Sequence, residues 1–537
     1  VSAKTKLNLI FGLMLTLTIL AVGAHKPLAN ENVNGLYVKS IEQVLRLEPE
    51  EVDLGIASLI IAEEWSEIVP GRRYQQELDD MAYEIRGRIE KQGLQNSYKA
   101  IHIINDYLFN ELGYTSVKEA SDANDLFLHS VMDRKKGYCL SLSILYLAIG
   151  ERLGLPLYGV VVPSHFFVRY DNGPVRFNIE TTSKGGYAND EHYIEKFNVP
   201  DNGHDSIYMQ NLNKMQSLGC LFNNLGNVYS DEGNIDAAIK ALENAVRINP
   251  SLAESRTNLG NMYLQKGRIN DAVYNYRQAL SINPDDAKTY NNLGNAYLER
   301  EWFNEAIGAY TKSLGLDNDS IEARMNIATA YSKLGLTEKA AVFLREAISM
   351  QPNKSTLYSQ LGGIYYNAGK YDKAMNAYKK AIQINYKDAE AHYGMGLCYS
   401  KLDMVKNEII SYKNALAAKP DMVEALVNLG NAYFAQEKYD KAVKQYKKAV
   451  ALAPDDYTLY YNLGAAYTNE KMFKESVAEY LKAIELNPDM GDAHNGLAYA
   501  LYKLKNYPEA YKHLLRATQL GVQIDEKLLK AIERKMR

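Results

Sequence analysis

Asn224-Leu225-Gly226-Asn227-Val228-Tyr229 returns as Asn258-Leu259-Gly260-Asn261-Met262-Tyr263 and again as Asn292-Leu293-Gly294-Asn295-Ala296-Tyr297, each step 34 residues long. The small central residue continues at Ala328, Gly362, Gly396, Gly430, Gly464 and Ala498, so nine positions in register hold seven glycines. Ordinary glycine usage would put about 0.6 there. Three residues after each small slot stands tyrosine, from Tyr229 to Tyr467, failing only at Leu501. Further small residues keep the same clock at Ala238, Ala272, Ala306, Ala340, Ala374, Ala442, Ser476 and Ala510, with Glu408 the exception, and again from Ala245 to Ala517. Proline closes six units, at Pro250, Pro284, Pro352, Pro420, Pro454 and Pro488.

Such a unit reads as a helical hairpin. Glycine and alanine let two antiparallel helices approach closely, and tyrosine fills the space between neighbouring hairpins. Proline ends the second helix because it cannot donate the next hydrogen bond. One hairpin cannot bury its apolar face alone, so stacking supplies the core. The pattern resembles the tetratricopeptide repeat (TPR) in length and at every signature position but the tryptophan. That resemblance implies a right-handed α-solenoid of nine 34-residue hairpins over residues 219–522. Leu528, Leu529 and Ile532 then share one face of a C-terminal cap helix within 523–537.

In the tetratricopeptide family the first helices line an inner groove. The matching face here carries Asn224, Asn258, Asn292, Asn326, Asn428 and Asn462, with Asn227, Asn261, Asn295 and Asn431 one turn along. An amide offers donors and an acceptor together, so a row of them can hold an extended backbone without demanding a sequence. The row looks like the asparagine ladder of eukaryotic O-linked sugar transferases, which implies protein or peptide partners. The alternative is that these amides cap helices or bond between repeats. Cys398 shares its slot with Val228, Ala296 and Ile364 and reads as core.

The 537 residues allow several domains, and 47% hydrophobic with 23% charged residues is ordinary globular composition. A net charge of −4 argues against nucleic acid as a partner. Lys4 and Lys6 precede an uncharged run from Leu7 to Ala24 that ends in Val22-Gly23-Ala24, the layout of a secretory signal over 1–24 followed by a linker over 25–40. An uncleaved anchor is the alternative. Either way the chain is expected to be exported to the periplasm or cell envelope, with membrane contact only through that segment. Three cysteines (Cys139, Cys220, Cys398) make no disulfide framework and have no histidine spacing suited to zinc, so neither metal nor cofactor is expected.

Residues 41–205 lack the repeat, and a connector is expected over 206–218. Leu78, Met81, Ala82, Ile85 and Ile89 mark one helical face, and Ile101, Ile104, Leu108 and Leu112 another. Cys139 opens a helix running to Leu153. After Pro156 come strands over 158–162, 165–170 and 175–180, with Asp171-Asn172-Gly173 as a hairpin turn. Cysteine at a helix start, then histidine and an acid on successive strands, is a papain-like order. Cys139 would sit where the helix N-terminus stabilises a thiolate, His165 would move the proton, and Glu180 would orient the imidazole. On spacing alone, a lone cysteine on an apolar helix is more often core.

The strings themselves add more. Gly137-Tyr138-Cys139-Leu140-Ser141-Leu142-Ser143, Gly154-Leu155-Pro156-Leu157-Tyr158-Gly159-Val160, Pro163-Ser164-His165-Phe166-Phe167-Val168-Arg169-Tyr170 and Asn178-Ile179-Glu180 resemble the transglutaminase-like superfamily. The likeness is to its bacterial SirB-type branch, as is that of the stretch from Asn124 to Met132. It implies an α+β papain/transglutaminase-like domain ahead of the mainly α solenoid, with Cys139, His165 and Glu180 as catalytic residues. Aspartate is usual in the superfamily where Glu180 stands; the extra methylene changes reach, not charge. Two readings follow. One is a thiol hydrolase or acyltransferase acting on amide bonds, with the repeats presenting its substrate. The other is a scaffold whose transglutaminase-like domain is inert. His102 and His129 lack partner motifs and read as structural.

Overall fold

The computed structural model describes residues 30–31, 37–66, 69–95, 97–120, 122–199 and 207–537. The expected signal or anchor, most of the linker, and the 200–205 tail of the first domain lie outside them. Two compact units divide the chain, one ending at Asp317 and the other running from Asn318 to Arg537.

The first unit begins with an α+β domain built around one buried helix. Helices α1 (Leu54–Trp65) and α2 (Gly71–Lys91) pack against α3 (Cys139–Arg152), which is buried from Cys139 through Gly150. The expected face of α2 is the one that turns inward: Leu78, Met81, Ala82, Ile85 and Ile89 are buried. The second expected face is carried by the helix Ala100–Asn105, which widens into a π-helical turn over Asp106–Glu111. Ile101, Ile104 and Leu108 on it are buried, whereas Leu112 is only half-buried.

A four-stranded antiparallel meander follows, in the order β1 (Leu157–Val162), β2 (His165–Asp171), β3 (Arg176–Glu180) and β4 (Gly186–Ala188). The last strand was not legible in the sequence, being three residues long and half-buried. Pro163-Ser164 makes the β1–β2 turn. Pro163 presets φ at its first position and Ser164 takes φ +61° at its second, a type II geometry in a residue other than glycine. Helix α4 (Asp190–Phe197) closes over the sheet, and Tyr193 joins Val160, Val162 and Phe167 in its core. Arg169, fully buried on β2, bonds Asn178 Oδ1 at 2.7 Å, Met209 O at 2.6 Å and Asp190 at 2.7 Å. A buried guanidinium needs such a set, since an unpaired charge inside would cost several kcal/mol, roughly 3–5.

The first helix of repeat 1 carries an N-terminal extension ahead of the 34-residue register, which later first helices keep at Ala253, Ala287 and Ile321. The connector ends at Asn213, which caps a helix running Lys214–Asp231 by accepting from Gln216 N. That helix pairs with Ile235–Ile248 as repeat 1; repeat 2 is Ala253–Gln265 with Ile269–Ile282, and repeat 3 is Ala287–Glu299 with Phe303–Leu316. The second unit holds the other six pairs, from Ile321–Lys333 with Thr337–Met350 to Gly491–Lys503 with Tyr507–Gln519. The helix Glu526–Met536 follows them. The chain is thus an α+β domain followed by a tetratricopeptide solenoid of nine hairpins among the described residues.

Two rules of the hairpin emerge only in three dimensions. First, six of the seven glycine slots face a tyrosine ring from the second helix of their own hairpin, while Gly226 faces Leu242. A Cβ on Gly260 would lie 2.6 Å from the Tyr276 ring, on Gly294 2.4 Å from Tyr310, and on Gly430 2.5 Å from Tyr446. Where the slot is Ala328 or Ala498, the facing residue is the smaller Leu344 or Leu514. These tyrosines form a column separate from the one that begins at Tyr229, and they account for more of the tyrosine excess. Second, the turn between helices takes a left-handed residue in every repeat, glycine at 233, 267, 335 and 369 but Glu301, Asp403, Glu437, Lys471 and Lys505 elsewhere. The next N–H returns to the carbonyl of the residue three after the glycine slot, as Asn234 N to Tyr229 O at 2.8 Å. Closure of the helix end thereby fixes the bend.

Candidate active site

Cys139 is the first residue of α3, with Tyr138 as its N-cap, so it sits where backbone N–H groups lack intrahelical carbonyls. His165 is the first residue of β2 and Glu180 the last of β3. Phe167 lies directly opposite Glu180 when the observed register (Val168 to Ile179) is extended, and this makes His165 the acid's diagonal neighbour on the same face. Local geometry thus delivers the pair.

The His165 Nε2–H donates to Glu180 Oε2 at 2.7 Å. Cys139 is the ring's second electrostatic partner, and the two side chains line one cavity. Burial works against a charged ring. The interactions with Cys139 and Glu180 outweigh it, and the His165 pKa is raised to about 9. Burial would also raise Glu180, but His165 and Thr182 hold it down at about 2. Both carboxylate oxygens are used. Oε2 accepts from His165 and from the Tyr193 hydroxyl at 3.0 Å, and Oε1 accepts from Thr182 N at 3.1 Å and Thr182 Oγ1 at 2.5 Å. The imidazole stacks on Phe197 at 4.8 Å between centroids and 5° between planes. Burial, with the neighbouring Cys139 sulfur, raises the Tyr138 pKa to about 12. Tyr193, Thr182, Phe197 and Tyr138 were not singled out from the sequence. Only Tyr138 and Thr182 lie beside a motif residue, and side-chain direction decides such contacts.

The expected groove residues divide between the two units. In the first, Asn224, Asn227, Asn258 and Asn261 line the same cavity as Cys139 and His165, a space of about 500 Å³. Asn261 also lines a second cavity of about 530 Å³ with Asn292 and Asn295. Their amides take part in the internal bonding that stood as the alternative. Asn224 Nδ2 donates to Cys220 O at 3.0 Å, Asn258 Nδ2 to Asn223 Oδ1 at 3.2 Å, and Asn292 Nδ2 to Asn261 Oδ1 at 2.9 Å. Asn261 and Asn295 accept from the hydroxyls of Tyr276 and Tyr310. In the second unit Asn428 donates to Tyr393 and Asn431 accepts from Tyr446. Asn326 and Asn462 are half-buried on the same helical face.

Neither His102 nor His129 lines the cavity: His102 meets Tyr187, and His129 packs between Tyr74 and Phe127. Cys398 is fully buried in the second unit's core. No cluster of three metal-ligating side chains occurs among the described residues.

This arrangement defines a transglutaminase-like domain followed by tetratricopeptide repeats, and family comparison agrees. Residues 72–215 match the transglutaminase-like superfamily. Segments between 226 and 490 match two repeat families, described as TPR repeat and tetratricopeptide repeat. Among curated proteins, a UPF0162 protein of Xylella fastidiosa (strain 9a5c) is 28% identical over 162 residues, which is 28% of this chain and 57% of that protein. The chain therefore spans little more than half the length of such a relative. The mouse F-box only protein 21 is 34% identical over 76 residues, 14% of this chain and 12% of that protein. Among solved structures, YrrB, a TPR protein described as having an unusual peptide-binding site, matches at 22% identity and TM-score 0.30, over 35% of this chain and 96% of its own.

Proposed function

We propose that the protein is a thiol enzyme that cleaves or transfers amide-bonded acyl groups through Cys139, and that its repeats bind protein partners. One observation carries this reading: His165, bonded to Glu180 at 2.7 Å, lines one cavity with Cys139 and interacts with its sulfur. In the reaction the Cys139 sulfur, its proton taken by His165, attacks the amide carbon. His165 then returns that proton to the departing nitrogen, leaving a thioester and a free amine. Water or a second amine attacks the thioester, His165 accepts its proton, and the thiol leaves with that proton restored. Glu180 keeps the ring oriented and favours its charged form throughout. Export to the cell envelope belongs to the same proposal, resting on the basic-then-apolar order of residues 4–24. Cell fractionation of the native protein checks it, and a purely cytosolic chain would refute it.

The test of the chemistry is site-resolved alkylation. Burial and Glu254 push the Cys220 thiol well above its ordinary pKa, and burial raises Cys398 to about 11. Brief iodoacetamide treatment of the native protein at pH 7 should therefore modify Cys139 ahead of the other two, and His165→Ala should abolish that preference. Equal labelling of all three, or a Cys139 rate indifferent to His165, would favour the inert scaffold.

A further inference from the structure

The wall facing Cys139 and His165 is not made by the transglutaminase-like domain. It is the inner face of the first repeats: Asn224, Asn227, Asn258 and Asn261, with Glu254 and Asp286 behind them. The two carboxylates are already engaged. The Tyr208 hydroxyl donates to Glu254 at 2.8 Å, and Asp286 caps its helix by accepting from Lys288 N, Thr289 N and Thr289 Oγ1. Three of the amides are different, because internal bonds use only one end of Asn224, Asn258 and Asn261. Asn224 and Asn258 spend Nδ2 on partners within the repeats and carry no bond at Oδ1 among the described residues. Asn261 does the reverse. Its Oδ1 accepts from Tyr276 and from Asn292, which leaves Nδ2 as the end without a bond among the described residues. The internal bonds therefore fix the orientation of these three amides, and the wall presents acceptors and a donor.

We propose, building on the thiol-enzyme reading, that the substrate is an extended polypeptide segment whose backbone N–H groups bond Asn224 and Asn258 Oδ1 and whose carbonyl accepts from Asn261 Nδ2 while one residue lies against Cys139. Main-chain amides are what this row of uncharged amide acceptors and donors matches, since each residue of an extended chain offers one of either kind. The shape agrees. The cavity of about 500 Å³ adjoins the second of about 530 Å³ at Asn261, which lines both. Each is already within the roughly 300–1,000 Å³ that serves a compact small molecule. A chain advancing about 3.3–3.6 Å per residue uses the two in succession. The repeats thus contribute the substrate site itself.

The test uses the full-length protein and epoxysuccinyl alanine peptides carrying one, three or five residues on either side of the electrophile. Alanine suffices because amides recognise backbone. In the wild type the rate of Cys139 inactivation should rise at least tenfold from one to five residues in one direction. Asn261→Asp keeps the acceptor used by Tyr276 and Asn292 but turns the outward donor into an acceptor, and should cut the five-to-one rate ratio about fivefold. Length-independent inactivation in both directions, with Cys139 still alkylated by iodoacetamide, would overturn this proposal and spare the thiol-enzyme reading. A Cys139 inert to iodoacetamide would remove both.

Discussion

His165 interacts with both Glu180 and Cys139, and the consequence reaches beyond catalysis to stability. Its folded pKa of about 9 stands above the ordinary 6.5, so the proton it holds stabilises the fold fully below pH 6.5 and less as pH rises through 9. Glu180, depressed from 4.5 to about 2, stabilises the fold above pH 4.5 and loses that contribution as pH falls through 2. Between those limits, near pH 5.5, both contributions are present. Replacing Glu180 by glutamine keeps the size and removes the charge. It should lower urea-unfolding stability by about 1–2 kcal/mol at pH 5.5 and by clearly less at pH 10. An equal loss at both pH values would mean that the acid acts through packing alone. The three residues themselves could be read from their strings because helix start, strand start and strand end are local features. Thr182, Tyr193 and Phe197 could not, because their roles depend on where α4 folds back over the sheet. Nor could the tethering of the asparagines, since which end of an amide is engaged depends on partners as far as 35 residues away.

At the scale of the element, the hairpin balances a missing side chain against a large one. Gly430 faces the ring of Tyr446, and a methyl at 430 would need 2.5 Å of space the ring occupies. Gly430→Ala should cost about 1–3 kcal/mol as overpacking of a well-filled core. Adding Tyr446→Leu should recover at least half of that, since Ala328 with Leu344 and Ala498 with Leu514 already use this pairing in other repeats. Chemical denaturation of the four members of this double-mutant cycle measures the coupling. Additive losses would show that the glycine serves backbone freedom rather than the ring. The 34-residue period made the glycine and the first tyrosine column plain, because both recur on one helix. The column that includes Tyr446 recurs in six of the nine repeats but acquires meaning only when the second helix is laid across the first. Turn residues such as Glu301 and Lys471 escaped for another reason: their left-handed conformation carries no residue signature.

Across the whole molecule, contacts in a repeat array run between neighbours, so damage at one end should stay local. The helix Glu526–Met536 buries Leu528 and Ile532 against Leu497, Leu501 and Leu514 of the last repeat, with Ile524 and Leu529 packed alongside. Each of the two buried side chains contributes about 1.5–3 kcal/mol of transfer free energy. Part is offset by the entropy of ordering the helix, and removing residues 525–537 should cost the last repeat about 2–4 kcal/mol. Hydrogen exchange would then accelerate at least tenfold in Gly491–Lys503 and Tyr507–Gln519, since each factor of ten corresponds to about 1.4 kcal/mol. Exchange in Lys214–Asp231 and Ala253–Gln265, which line the candidate active site, should keep its wild-type rate, as should alkylation of Cys139. Such a result would mean that the terminal repeats can fray or be remodelled without disturbing the thiol. If exchange instead accelerated evenly through all nine hairpins, the array would unfold as one cooperative body, and the end of the chain would be energetically coupled to the site near its beginning.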